Sequence, residues 1–302
     1  MKKTTGTLML LLAALIWGTA FVAQSSASDD VGAFTFTAAR SWIAFVFLFI
    51  IMGICGRFHK EKGVGWKKTI WAGLICGLIF FMASNLQQFG IAAYPEGVAA
   101  SGRSGFLTAT YVVMVALCTG LFGQKKLHPL VWVAVGGCMA GMYFLCLSDG
   151  LSGFYWGDGL VLGCAAFFTC HILVIDHFTA VDSIKMCCVQ FFVCGILSSV
   201  GMLIFEKPSV SALSDAWLEI LYVGVMSSGV AYTLQMVGQK RVDPAVASIV
   251  MSLESVFAAL AGWMILKERL RPAELLGCGL VFAAVILAQV PAFMRYGKAN
   301  GT

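Results

Sequence analysis

Apolar blocks separated by polar or Pro/Gly punctuation run through the chain at about 7–27, 32–54, 69–92, 97–121, 129–147, 158–177, 186–205, 216–238, 245–266 and 272–293. Each approaches the roughly 20 apolar residues that a helix needs to cross a bilayer, so the pattern predicts ten transmembrane helices. Pro95, Pro129, Pro244 and Pro272 stand at or just before predicted helix starts, where the missing N–H costs little. Gly73 with Gly77, Gly137 with Gly141 and Gly159 with Gly163 are small residues four apart, a spacing that lets neighbouring helices approach closely.

Composition removes most other readings. Of the 302 residues 60% are hydrophobic and 12% charged, against roughly 45–50% and about 25% in soluble domains. With a mean hydropathy of +0.89 this is an all-α integral membrane protein. Ten crossings would use roughly 200 residues and leave about ten for each connection. That excludes a soluble catalytic domain, a long disordered tail and a DNA-binding module, and the net charge of +5 requires no nucleic-acid partner. The eleven cysteines fall in or beside apolar blocks with no C-x-x-C pair among them. They read as packing residues rather than disulfides or metal ligands, and neither metal nor cofactor is expected.

Lys and Arg set the orientation. With both termini cytoplasmic, the inner loops and tails hold 14 of them, from Lys2 and Lys3 to Arg295 and Lys298, against Lys207, Lys267, Arg269 and Arg271 outside. The positive-inside rule therefore predicts a multi-pass protein of the cell membrane with both ends in the cytoplasm. The rival reading takes Lys2-Lys3, the first apolar block and Ser25–Ser28 as a cleavable signal peptide. It would leave nine helices and turn the basic 57–68 loop outwards.

The two halves of the chain repeat. A shift of 148 places Ala83, Leu86, Gln87, Gly90, Val98 and Ala99 on Ala231, Leu234, Gln235, Gly238, Val246 and Ala247. A shift of 143 places Lys126-Leu127-His128-Pro129 on Arg269-Leu270-Arg271-Pro272. Two units follow, 1–149 and 150–302, each with five helices. Five is odd, so the second unit must enter the membrane inverted relative to the first, an arrangement characteristic of transporters.

Several stretches carry a more specific likeness. Span one reads "LIWGTAFVAQ" (15–24), span four "GRSGFLTATYVV" (102–113), span six "GDGLVLGCAAFFTCHIL" (157–173), and spans nine and ten "SLESVFAALAGWMILKERLRPAELLG" (252–277). With these the chain resembles the EamA-type members of the drug/metabolite transporter superfamily over nearly its whole length. It departs where the family commonly has Pro on spans four and nine and this chain has Val112 and Ser255, and where Lys125 replaces a loop Glu. The resemblance implies a ten-helix exporter whose central cavity is lined by spans one, three, four, six, eight and nine.

Polar residues at membrane depth give the candidate site. A charged side chain there costs roughly 2.5–3.5 kcal/mol on insertion scales and normally faces a bundle interior or wet cavity. By helix rise Arg103 lies roughly 9 Å below the outer face and Arg40 about 12 Å, with Glu254 near the middle and able to reach either. Arg40 is expected as a structural or gating charge. Arg103 is expected to meet a substrate carboxylate, and Glu254 an amine or a proton. Ser101, Ser104, Thr108 and Tyr111 share one face of span four, and Ser228, Tyr232, Gln235 and Gln239 one face of span eight. Trp17, Phe21, Gln24 and Ser28 do the same on span one. Trp17, Tyr111 and Tyr232 are expected to pack on a small-molecule substrate, and Asn85, Gln87, Gln88, Gln190 and Gln235 to hydrogen-bond it. His171 and Glu254 are the intramembrane pair that would serve proton coupling.

The leading function is export of small metabolites, amino acids or related compounds, by alternating access. Hydrophobic drugs and sugar-type metabolites are the alternative cargo. An enzymatic rival is an intramembrane serine protease built on Gly102-Arg103-Ser104-Gly105 with His171 as base. A non-transporting helix bundle is the third reading.

Overall fold

A computed structural model describes residues 2–56, 65–95, 98, 100–122, 127–146, 155–267 and 272–299. All regular elements among the described residues are helical. In the first half these are α1 (Lys2–Ala27), α2 (Ala33–Ile54), α3 (Trp66–Ala92), α4 (Ala100–Thr108), α5 (Tyr111–Phe122) and α6 (Pro129–Cys146). In the second they are α7 (Trp156–His177), α8 (Ser183–Phe205), α9 (Val210–Asp215), α10 (Trp217–Tyr222), a π-helical segment (Val223–Ala231), α11 (Tyr232–Gln239), α12 (Pro244–Met251), α13 (Leu253–Ile265) and α14 (Pro272–Ala299). Seven stretches are long and apolar enough to cross a membrane: Thr4–Ala27, Ala33–Ile54, Trp66–Ala92, Trp156–His177, Ser183–Phe205, Trp217–Gln239 and Pro244–Ile265. The other expected crossings are broken or shorter: span four is divided into α4 and α5, and spans five and ten carry the apolar stretches Pro129–Gly141 and Leu275–Ala288. The loop cations Arg57, Lys60, Lys62, Lys125 and Lys126, the stretch 268–271 and the expected start of span four at 97 lie outside the described residues.

The second half is upside down relative to the first, as the helix directions show. Gly90 of α3 abuts Gly157 and Val161 of α7 while Leu86 reaches Gly163, so α3 and α7 are antiparallel. Gly6 of α1 meets Gly238 of α11, and Trp17 donates to the Ser227 carbonyl (3.3 Å), so α1 is antiparallel to the eighth span. Gly73 and Gly77 meet Val189 and Val193, making α3 and α8 parallel, and Gly201 and Gly195 meet Phe34 and Trp42, making α2 and α8 antiparallel. Consequently α1 and α7, α2 and α8, and α3 and the eighth span each run in opposite senses. The turns joining α1 to α2 and α7 to α8, residues 28–32 and 178–182, lie 150 apart with Val31 and Val181 both buried.

The expected close approaches hold for two of the three glycine pairs. Gly73 and Gly77 pack on α8, and Gly137 and Gly141 on Ala284 and Val281 of α14. The third is corrected: Gly159 has open space beside it and Gly163 only ordinary contact with Leu86. The tight crossing on α7 is instead at Gly157, where an added Cβ would lie 2.5 Å from the Gly90 carbonyl. The nine cysteines with described side chains are free, in keeping with their reading as packing residues.

Local chemistry explains where helices start and break. Asp182 accepts from the backbone N–H groups of Ile184 (3.0 Å) and Lys185 (3.2 Å) and so caps α8. The equivalent position in the first half is Gly32, which has no side chain to offer. There Glu206, at the far end of α8, accepts from Phe34 N (2.8 Å), Thr35 N (2.8 Å) and Thr35 Oγ1 (2.6 Å), and a Cβ at residue 32 would sit 2.5 Å from its carboxyl carbon. Spans four and nine break at Ala109–Thr110 and at Ser252, positions matched by the 143-residue shift. Proline is not needed for this. The hydroxyls of Thr110, Ser252 and Ser255 donate to carbonyls three residues back (2.6, 2.7 and 2.7 Å), competing with the regular helical bonds.

Candidate functional site

Both halves contribute to one buried cavity of about 470 Å³, within the range of small-molecule pockets. Its wall includes Trp17, Phe21 and Gln24 of α1, Arg40 of α2, Gln87 of α3, Thr108 and Tyr111 at the break in span four, and Phe168 and Ile172 of α7. Across from them stand Ser227 in the π-helical segment, Tyr232 and Gln235 of α11, Met251 of α12 and Glu254 in the first turn of α13. Helix irregularities meet at this place: the span-four break, the π-helical segment and the Ser252 break all adjoin the wall. Such interruptions are tolerated at membrane depth where they line a cavity rather than face lipid.

The wall is polar and incompletely paired. Arg40 donates from Nη1 to Gln24 Oε1 (2.9 Å), and Gln87 donates to Thr108 Oγ1 (3.1 Å). Arg40 Nε, the Tyr111 hydroxyl, Gln235 Oε1 and Glu254 Oε1 are buried with no hydrogen-bond partner. A buried polar group without a partner costs about 1–3 kcal/mol, more for a charged one, so four around one cavity mark a surface shaped for a polar solute. One side is aromatic: Trp17 and Tyr232 lie 4.8 Å apart between ring centroids, and Phe80 meets Tyr232 edge-on, also at 4.8 Å.

Six of the eleven residues expected to bind substrate line this cavity: Trp17, Gln87, Tyr111, Tyr232, Gln235 and Glu254. The structure brings Arg40 to it as well. Asn85 is engaged elsewhere, donating to the Phe81 carbonyl (2.8 Å) and Ser198 (3.3 Å). Gln88 donates to the Gln24 carbonyl (3.2 Å) behind the wall. His171 and Gln190 share a hydrogen bond (2.8 Å) in a second layer, where the imidazole lies against Tyr232 and Phe80. The Ser104 hydroxyl is buried without a partner while His171 is bonded to Gln190, so the two do not form a nucleophile–base pair.

Arg103 is placed differently from expectation. It grips Asp158, the third residue of α7, with Nε on Oδ1 (2.7 Å) and Nη2 on Oδ2 (2.6 Å). The Tyr94 hydroxyl and Tyr155 N–H complete the carboxylate (both 2.8 Å), and the guanidinium lies 5.0 Å from the Tyr155 ring centroid. Burial, with Asp158 beside it, pushes the Tyr94 phenol above its ordinary range, so it stays a donor. Neither Arg103 nor Asp158 touches the cavity; they tie α4 to α7 beside the Gly90–Gly157 crossing. Asp158 escaped the sequence reading because an Asp in a first helical turn looks like a cap, and only its distance to Arg103 shows otherwise.

Two inverted helical halves enclosing a polar cavity within the membrane are the architecture of a secondary transporter. Comparison with known proteins agrees. The EamA-like transporter family matches residues 4–147 and again 155–289. An uncharacterized transporter of Archaeoglobus fulgidus is 29% identical over 96% of this chain and 87% of its own. The threonine/homoserine exporter RhtA of Escherichia coli K12 is 28% identical over 56% of this chain and 57% of its own. A crystal structure at 19% identity superposes with a TM-score of 0.76 over 97% of this chain and 99% of that one, and shares the fold. The chain belongs to the EamA-like transporter family, within the drug/metabolite transporter superfamily. It is a membrane transporter.

Proposed function

We propose that this transporter exports small metabolites, amino acids or related compounds, by rocking its two units, 1–149 and 150–302, about the shared cavity. The observation that carries the reading is the set of four unpartnered buried polar atoms around one cavity walled by both halves. The similarity to an exporter named for threonine and homoserine supports the cargo class. Trp17 and Tyr232 offer a face for the solute's apolar part, with Gln87, Gln235 and Tyr111 as hydrogen-bonding groups. Exchange of the solute for a proton is assigned to Glu254, which faces the cavity, with His171 and Gln190 in the layer behind it. Residence in the cell membrane with both termini cytoplasmic follows from the Lys/Arg distribution.

Counterflow in proteoliposomes tests this. Purified protein preloaded with an amino-acid mixture is expected to take up labelled amino acid, and Glu254→Gln to abolish uptake while remaining monodisperse. Uptake insensitive to an imposed pH gradient would remove the proton from the cycle. Absence of exchange for amino acids, nucleosides and cationic dyes alike would remove the export reading.

A further inference from the structure

We propose that the solute bound in the cavity is a zwitterion, an α-amino acid whose carboxylate meets Arg40 and whose ammonium meets Glu254. The inference rests on the export reading and adds to it the charge class of the cargo and the two residues that select it. Arg40 is 3% and Glu254 4% exposed, both line the same cavity, and no ion pair joins them among the described residues. Each has an unpartnered buried atom, Nε on Arg40 and Oε1 on Glu254. The other deep cation is already matched, since Arg103 holds Asp158 away from the wall.

The two unpaired poles restrict what can fill the space. A charge at membrane depth is costly unless an opposite charge or well-aimed dipoles meet it. An anion would satisfy Arg40 and set a second negative group against the Glu254 side; a cation would leave the guanidinium unmatched; a neutral solute would leave both. A zwitterion completes the row guanidinium, carboxylate, ammonium, carboxylate, in which every charge has an opposite neighbour. Gln24 fixes the guanidinium from behind through Nη1, leaving Nε for the solute. Trp17 and Tyr232 remain for the solute's side chain.

The test compares solutes of one shape and different charge. Twenty L-amino acids, their methyl esters and their N-acetyl derivatives are offered as competitors in proteoliposome counterflow with the wild-type protein. Amino acids are expected to exchange at least tenfold faster than either derivative. In Glu254→Gln the N-acetyl anions should gain on the parent amino acids by about tenfold, in Arg40→Gln the methyl esters should, and Arg40→Lys should keep the wild-type order. Esters or N-acetyl compounds exchanging as fast as amino acids in the wild type would overturn the pairing while leaving the transporter intact. No exchange of any compound in the panel would overturn the pairing and the amino-acid reading together. Because the wild-type panel decides on its own, a variant that fails to fold does not protect the proposal.

Discussion

Removing the Arg103 side chain should destabilise the protein without destroying its capacity to exchange solute, and Asp158 separates the two effects. The Asp158 carboxylate is 1% exposed and receives two charged donors from Arg103 and two neutral ones from Tyr94 and Tyr155. Arg103→Ala strips the charged donors and leaves a buried carboxylate on a phenol and one amide. Losing one partner of a buried pair costs about 3–5 kcal/mol. Arg103 retains 16% side-chain exposure, so water can reach the site and the lower end of that range, about 3 kcal/mol, applies. Asp158→Ala should cost a similar amount by stranding the guanidinium. The double variant strands neither, so the cycle should show a coupling of about 2 kcal/mol in SDS-induced unfolding from mixed micelles. Counterflow in the double variant should stay above half the wild-type rate, since neither residue lines the cavity. Additive single effects, within about 0.5 kcal/mol, would show that the pair does not hold α4 to α7. A double variant that is folded but inactive would return Arg103 to the solute.

Other expectations follow from the same contacts. Glu206→Ala removes the acceptor for Phe34 N and Thr35 N; hydrogen exchange should rise at residues 33–37 and stability fall by about 1–2 kcal/mol, with the order of solute preference unchanged. Gly238→Val puts a Cβ 2.9 Å from the Gly6 carbonyl, so α1 and α11 must part and stability should drop by about 1–3 kcal/mol together with exchange rate; a neutral effect on both would deny the crossing. The raised Tyr94 phenol predicts stability that is fully present below the ordinary tyrosine value of about 10 and lost as pH rises above it, because the unfolded phenol ionises first. Tyr94→Phe should flatten that loss in an alkaline unfolding series. Epitope tags after Gly123 and after Leu266 should emerge on opposite faces of the membrane, and tags on one face would break the inverted topology.

The membrane class, the helical content and the inverted repeat were legible in the sequence because each depends on pattern summed over many residues. Lipid admits helices with few charges, so block length and composition alone carry those conclusions. The polar stripes on spans one, four and eight were equally legible: Thr108 and Tyr111, Tyr232 and Gln235, and Trp17, Phe21 and Gln24 do share the cavity. What periodicity leaves open is which of two deep arginines faces a solute. Arg40 and Arg103 have similar depth by helix rise, and the difference between them is a partner 55 residues away, Asp158. The pairing of His171 with Gln190, and of Asn85 with Ser198, is hidden for the same reason. A polar side chain on a buried face is satisfied either by another helix or by cargo, and sequence spacing does not distinguish the two.

The repeat itself explains where the cavity lies and why its chemistry is lopsided. Under the 148- and 143-residue shifts, Gln87 corresponds to Gln235, Thr108 to Met251 and Tyr111 to Glu254, and all six line the wall. Equivalent positions facing one space from both halves put the cavity on the pseudo-twofold axis, where rocking one half against the other alters access least asymmetrically. The frame is symmetric but the groups on it are not. One amide pair is kept, while Tyr111 faces an acid at the equivalent position and Arg40 has as its counterpart Gln190, which is turned to His171. A solute with two identical ends would match a symmetric wall; a wall with a guanidinium from one half and a carboxyl from the other requires a solute whose ends differ in charge. Divergence confined to these few positions therefore sets polarity and orientation of the cargo, while the duplicated helices around them set the path.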